Sequence, residues 1–131
     1  MAEIADNSPN TLPRAARLSA RADISRAFDE GTRVVDPRIS LQGVRNGLGR
    51  TRLAVAVSKR HGNAVKRNRL KRIGREAFRH VRSQLPRGLD LVMLPRAGRE
   101  PAVDGIGESL LRLAGKLEGK LPSEDADDHD G

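Results

Sequence analysis

The sequence predicts a small α+β domain, an α/β sandwich with a mixed four-stranded sheet and about three helices. Three observations carry this. Short apolar runs at 32–36, 38–44, 53–58 and 89–94 have the length of strands. Three longer stretches, 18–31, 64–85 and 103–121, repeat their apolar residues at helical spacing. The third and fourth strand runs flank the second helix, and strand, helix, strand at that spacing makes a βαβ crossover with parallel strands. With 131 residues the chain forms one domain with a modest core.

Residues 1–13 are polar, contain two prolines and read as a disordered arm, so the domain is placed at 14–121. Leu18-Ser19 opens the first helix, with Ser19 as its N-cap and Gly31 as its stop. Ile24, Ala27 and Phe28 share one face of it. The strands at 32–36 and 38–44 are broken at Pro37, and Asn46-Gly47-Leu48-Gly49 is a loop. Along 53–58 large and small residues alternate. Leu53, Val55 and Val57 suit a core, and Ala54, Ala56 and Ser58 leave a shallow surface on the other face. The second helix ends near Leu85-Pro86, and Pro95 closes the strand that follows. The last helix presents Val103, Ile106, Leu110, Leu113, Leu117 and Leu121 on one side and is weakened by four glycines. Residues 122–131 hold five acids and no base, a solvated, disordered tail; the rest of the chain therefore bears +13 against the whole protein's +8.

The charge is concentrated. Residues 58–82 contain ten Lys or Arg and one acid, Glu76, a net +9 in a single segment. From Ala64 onward, Leu70, Ile73, Gly74, Ala77, Phe78 and Val81 fall within an arc about 140° wide. Asn68, Arg69, Lys71, Arg72, Arg75, Arg79 and Arg82 lie opposite. Solvated helix faces usually mix signs, because like charges at i,i+3 and i,i+4 repel. Residues 68, 72, 75 and 79 form a ridge with three arginines and no acid, which calls for a polyanion. Arg in preference to Lys favours phosphate, which it grips with two parallel N–H donors.

Composition narrows the partner. A sequence pI near 11.1 points to nucleic acid. Phe28 and Phe78 are the only rings, which argues against sheets that stack bases on several aromatics. No apolar run approaches membrane-spanning length, and the basic helix needs its apolar side for a core, so no membrane partner is expected. Zero cysteines exclude disulfides and thiolate sites and fit a reducing cytoplasm. His61, His80 and His129 lack metal-ligand spacing and read as exposed or RNA-facing. Carboxylates cluster only in the tail, and Ser58 has no base partner, so the sequence predicts no complete catalytic site. A DNA-binding regulator is disfavoured because a strand, not a second helix, precedes the basic helix.

The ungapped run from Ser58 to Arg72 resembles the signature of the protein subunit of bacterial ribonuclease P. Arg67-Asn68-Arg69 matches the family's RNR core and Arg75-Glu76-Ala77-Phe78-Arg79 its continuation; weaker similarity extends from about Arg17 to Leu121. The resemblance implies a left-handed crossover, where the general rule is right-handed. It implies that an RNA subunit performs the hydrolysis that removes the 5′ leader from precursor tRNA. The Mg²⁺ would then belong to that catalytic RNA, with none bound by the protein alone. Carried over by residue, Arg67, Asn68 and Arg69 would contact the catalytic RNA, supported by Lys59, Arg60, Lys66, Lys71, Arg72, Arg75 and Arg79. A cleft at Ile24, Phe28, Gln42 and Ser58 would hold the leader of the precursor tRNA. Ile24 and Gln42 stand where the family often has an aromatic, so Phe28 is the one ring there. A ribosomal or other structural RNA-binding protein shares the composition and is the alternative.

Overall fold

A computed structural model describes residues 12–98 and 102–122. In chain order come α1 (Arg21–Glu30), β1 (Thr32–Val35), β2 (Ile39–Arg45), β3 (Arg52–Val55), α2 (Ala64–Val81), β4 (Leu89–Pro95) and α3 (Val103–Lys120). The sheet runs β1-β2-β4-β3. β2 pairs antiparallel with both β1 and β4, whereas β3 lies parallel to β4. The α2 crossover between β3 and β4 is the βαβ unit that the spacing predicts.

Period-two alternation sorts the sheet residues between two layers. Leu89, Leu91 and Met93 of β4, with Ile39 and Leu41 of β2 and Leu53 of β3, face α2 and α3. They bury Phe78, Ile106, Leu110, Leu113 and Leu117 there, each such side chain contributing roughly 1.5–3 kcal/mol. The other face is smaller: Val44 and Val92 pack with Leu18 and with Ala27 of α1, and Ile24, Ala54, Ala56 and Leu94 lie half-buried around them. Close approach of α2 to the sheet depends on Gly74, where a Cβ would come within 2.6 Å of Met93 Cε and 2.8 Å of Val55 Cγ2.

Several boundaries shift from the sequence reading. Ala20, not Ser19, occupies the N-cap of α1, without a side-chain cap, so the helix starts at Arg21. Gly31 does stop it, but through space and not through a left-handed φ: a Cβ there would lie 2.1 Å from the Ala27 carbonyl oxygen. β3 ends at Val55; the Ala56 N–H still donates to Met93 O, and Val57 is only half-buried. α2 yields at Val81 to a single helical turn, Arg82–Gln84, because Leu85 precedes a proline and is extended. Leu12, assigned by sequence to the polar arm, is buried in the main core. The rest of that arm, and the acidic tail from 123, lie outside the described residues.

Asp36 shapes the β1–β2 turn. Its carboxylate accepts from the backbone N–H groups of Arg38 (2.8 Å) and Ile39 (2.9 Å) and pairs with Arg112 of α3. Burial pushes its pKa up, but hydrogen bonds from Ser109, Ile39 and Arg38 and the charge of Arg112 outweigh that and hold it below its ordinary 3.8. A depressed carboxylate contributes stability above its unfolded pKa and loses it as pH falls through the folded one. Wild-type stability should therefore drop below about pH 4 more steeply than that of Asp36→Asn, measured by urea unfolding across pH.

Asp90 is fully buried on the α1 side of β4 and is held from three directions. Arg52 of β3 donates Nε (2.8 Å) and Nη2 (2.7 Å) to its two oxygens, and Asn46 Nδ2 donates at 2.8 Å. The same Arg52 reaches Asp23 of α1 at 3.3 Å. These bonds, Asp90 foremost, raise the Arg52 pKa further. Removing one partner of a buried pair strands the other, so Asp90→Ala should cost about 3 kcal/mol or more. Asp23→Asn, at the exposed end, should cost under about 1 kcal/mol. Equilibrium urea unfolding of the two variants checks the contrast.

Candidate nucleic-acid interface

α2 begins where Asn63 accepts from the Lys66 N–H at 3.0 Å, an N-cap that leaves the following basic residues in regular helix. Leu70, Gly74, Ala77 and Phe78 are buried against the core. Lys66, Asn68, Arg69, Arg72 and Arg75 are exposed, while Arg67, Lys71 and Arg79 are half-buried. The helix thus has the two-sided character that its periodicity predicts. Arg67 lies at the border. Its Nε is the one side-chain polar atom among the described residues that is buried without a hydrogen bond. Packing, not pairing, holds this guanidinium, which leaves it donors to offer a ligand.

An acid beside the ridge reaches one of its arginines. Glu76 accepts from Arg79 Nη2 at 2.7 Å and lies 3.1 Å from His80 Nε2. The Arg79 hydrogen bond, ahead of opposing burial, holds Glu76 below the usual carboxylate range. Arg79 is therefore already paired with an acid, and the sequence hid this because Glu76 sits off the ridge yet within i,i+3 reach.

Lys59 and Arg60 stand exposed on a single helical turn, Lys59–His61, that bridges β3 and α2. Ser58 caps this turn, its hydroxyl accepting from the Arg60 N–H at 3.3 Å. His61 is half-buried and structural, not a free RNA-facing histidine. Nδ1 accepts from the Ser58 N–H at 3.0 Å, which leaves Nε2 to carry the proton and donate to Pro95 O at 2.6 Å. That bond fastens the basic turn to the end of β4. Among the described residues, no three His, Asp or Glu side chains are placed to hold a metal ion.

On the opposite face, Ile24, Phe28 and Gln42 come together. Gln42 Nε2 donates to Phe28 O at 3.3 Å, and Ile24 packs on the small cluster that includes Ala54 and Ala56. Ala27, not Phe28, seals α1 to the sheet; the Phe28 ring is 38% exposed. Ser58 stands apart from these three, past the end of β3, with its hydroxyl committed to the cap. No described helix is long and apolar enough to cross a membrane.

A helix with an exposed basic face on a βαβ frame, with α1 packed on the other side of the sheet, defines a basic α+β protein of the nucleic-acid-binding class. Comparison with known proteins narrows the class. The family profile described as Ribonuclease P matches residues 12–118. The ribonuclease P protein component of Thermotoga petrophila is 33% identical over 114 residues, covering 83% of this chain and 97% of that one. The Chlamydia trachomatis serovar D protein of the same description is 40% identical over 103 residues, 78% and 85% of the two chains. The solved ribonuclease P protein of Thermotoga maritima superimposes with a TM-score of 0.70 at 32% identity, over 79% of this chain and 98% of that one. A Staphylococcus aureus counterpart gives 0.66 at 28% identity, over 80% and 96%. This chain belongs to the ribonuclease P protein family.

The charge pattern of α2 makes two substitutions act in opposite directions. Replacing Arg72 and Arg75 with Ala should weaken binding to a structured RNA and flatten the log–log salt slope by roughly 1–2 units. Glu76→Gln should tighten binding and steepen the slope by up to about 0.9 units, since it returns Arg79 to the ridge. Titrations at several KCl concentrations check both.

Proposed function

We propose that α2 docks this subunit on the catalytic RNA of the holoenzyme while the groove beside α1 receives the 5′ leader of precursor tRNA. The chain is an RNA-binding subunit of ribonuclease P, acting in removal of that leader; the division of labour between its faces is our reading. The observation that carries it is α2 itself, which buries Leu70, Gly74, Ala77 and Phe78 and turns Arg69, Arg72 and Arg75 outward.

In this reading the arginines act as fixed cations. Where RNA strands converge, each guanidinium neutralises phosphates that would otherwise need condensed Mg²⁺ or monovalent ions. Arg67, Asn68 and Arg69 form the centre of the contact, flanked by Lys59, Arg60 and Lys66 at the helix start and by Lys71, Arg72, Arg75 and Arg79 further on. His61 holds Lys59 and Arg60 in place by tying their turn to Pro95. On the leader side, Phe28 offers one exposed ring face, while Ile24 and the alanines offer apolar contact and Gln42 marks the groove's far wall. Stacking on a single ring supplies about 1–3 kcal/mol, so this groove grips a leader mostly by shape and backbone. In this reading Mg²⁺ would be held by the catalytic RNA, where it would supply activation of the hydrolytic water.

The test is reconstitution. Purified free of RNA, the chain should leave precursor tRNA uncut at any Mg²⁺ concentration. Added to a matching catalytic RNA, it should permit cleavage at low millimolar Mg²⁺, where that RNA alone is slow. Arg67→Ala or Arg69→Ala should shrink the benefit at low Mg²⁺, and high Mg²⁺ or salt should shrink it for the unaltered chain. Cleavage by the RNA-free protein, or a benefit undiminished at high Mg²⁺, would contradict the reading.

A further inference from the structure

At the far end of α2 from the Arg67-Asn68-Arg69 run, a cavity of about 380 Å³ opens at the surface. Its wall includes Arg50, Thr51, Arg79, Arg82, Ser83 and Arg87, and no carboxylate lines it. Arg82 lies fifteen residues beyond Arg67. At 1.5 Å per helical residue the two are roughly 20 Å apart along the axis, so the cavity is well removed from the Arg67-Asn68-Arg69 run, with Arg79 at the end of the ridge lining both.

Four guanidinium groups around one concavity repel each other, and an unliganded protein gains nothing from collecting them. Two are partly engaged: Arg79 with Glu76, and Arg50 through Nε to Ala15 O at 2.8 Å. The side chains of Arg82 and Arg87 make no hydrogen bond or ion pair among the described residues. The cavity is also held open by bonds that do not involve the arginine heads. Thr51 Oγ1 donates to Pro86 O and accepts from the Leu89 N–H at 3.1 Å. Asn46 donates its side-chain amide to Arg50 O at 3.0 Å and its backbone N–H to Gly88 O at 2.9 Å. Gly88, at φ 81°, turns the chain so that Arg87 sits on the rim. Loops 46–50 and 86–88 are thus clamped to each other, with Arg50 and Arg87 carried on opposite sides.

Guanidinium forks match tetrahedral oxyanions, and preorganised ones bind them without ordering cost. The volume lies within the roughly 300–1,000 Å³ usual for small-ligand sites. We propose that this cavity is a second phosphate-binding site, distinct from the Arg67-Asn68-Arg69 contact and sharing only Arg79 with the α2 ridge, which takes adjacent phosphate groups. Either of two sources supplies that chemistry, the backbone of an RNA strand or a free oligophosphate.

Calorimetric titration of the full chain with tripolyphosphate, and separately with an octauridylate lacking terminal phosphates, tests this and tells the sources apart. Arg82→Ala/Arg87→Ala should bind tripolyphosphate at least tenfold more weakly than the unaltered chain. Ser83→Glu, which sets a carboxylate at the rim, should do the same; it decides the matter if the double variant melts early. Lys116→Ala/Lys120→Ala, two exposed basic residues of α3 outside the cavity, should leave tripolyphosphate binding unchanged. If the octauridylate also weakens in the pocket variants, its salt slope falling by about 1.4 units for two lost contacts, RNA backbone is the occupant. If only tripolyphosphate weakens, a free oligophosphate is. Tripolyphosphate binding that is absent from the unaltered chain, or equal in the pocket variants, overturns the proposal. Because the probes bind protein alone, that failure leaves the reconstitution result, and the docking of α2 on catalytic RNA, untouched.

Discussion

The buried carboxylate of Asp90 is the point on which the rest of the fold turns. A charge fully removed from water in the centre of a sheet is costly unless every lone pair is answered. Arg52 answers from the parallel neighbour strand and Asn46 from the loop after β2. Arg52 then extends the chain of charges to Asp23, which sets α1 on the face that Ala27 seals. One ionised group therefore fixes the β3–β4 register, the loop that carries Arg50, and the seat of α1. An apolar residue at 90 would fill the space and leave those three unrelated. The small cluster on that side, built on Leu18, Ala27, Val44 and Val92, has too little area to do so by itself.

The two faces of the sheet are unequal for a reason tied to function. The α2 and α3 side holds the large core, so α2 is seated by Phe78 and Leu70 and leaves Arg69, Arg72 and Arg75 exposed. Gly74 lets the helix lie close to Val55 and Met93, and this brings the basic turn at Lys59–His61 near enough to β4 for His61 to bond Pro95. The α1 side keeps small residues, Ala54 and Ala56, at β3. On that face β3 itself carries nothing bulky.

Features that depend on near neighbours in the chain were legible. The amphipathicity of α2 is a matter of residues three and four apart, and the apolar side read from the sequence, Leu70, Gly74, Ala77 and Phe78, is the side that is buried. The alternation at Leu53–Ala56 likewise anticipates which residues face which layer. Features that depend on distant partners were not. Asp90 reads as an ordinary polar residue in a strand until Arg52 and Asn46, some forty positions earlier, are placed beside it. His61 looked free because its partner is Pro95. Arg50 and Arg87 seemed unremarkable loop arginines because the cavity they share forms only once Thr51 meets Pro86. Glu76 is the intermediate case: its partner Arg79 is close by, but a helical wheel placed it off the ridge, and side-chain reach brought it back.

The strand order has a consequence for the growing chain. β4 lies between β2 and β3 and is the last strand made, so β3 has no sheet partner until synthesis has passed Pro95. During that interval β1 and β2 can form a hairpin, but α2 has emerged without the floor it rests on. The long-range β2–β4 pairing must close a loop of more than forty residues before it is rewarded. Through this period the most basic segment of the protein is unanchored on a ribosome, itself a surface rich in RNA phosphate. Completion of β4 is then the event that withdraws the apolar side of α2 from solvent and leaves only its arginines on offer.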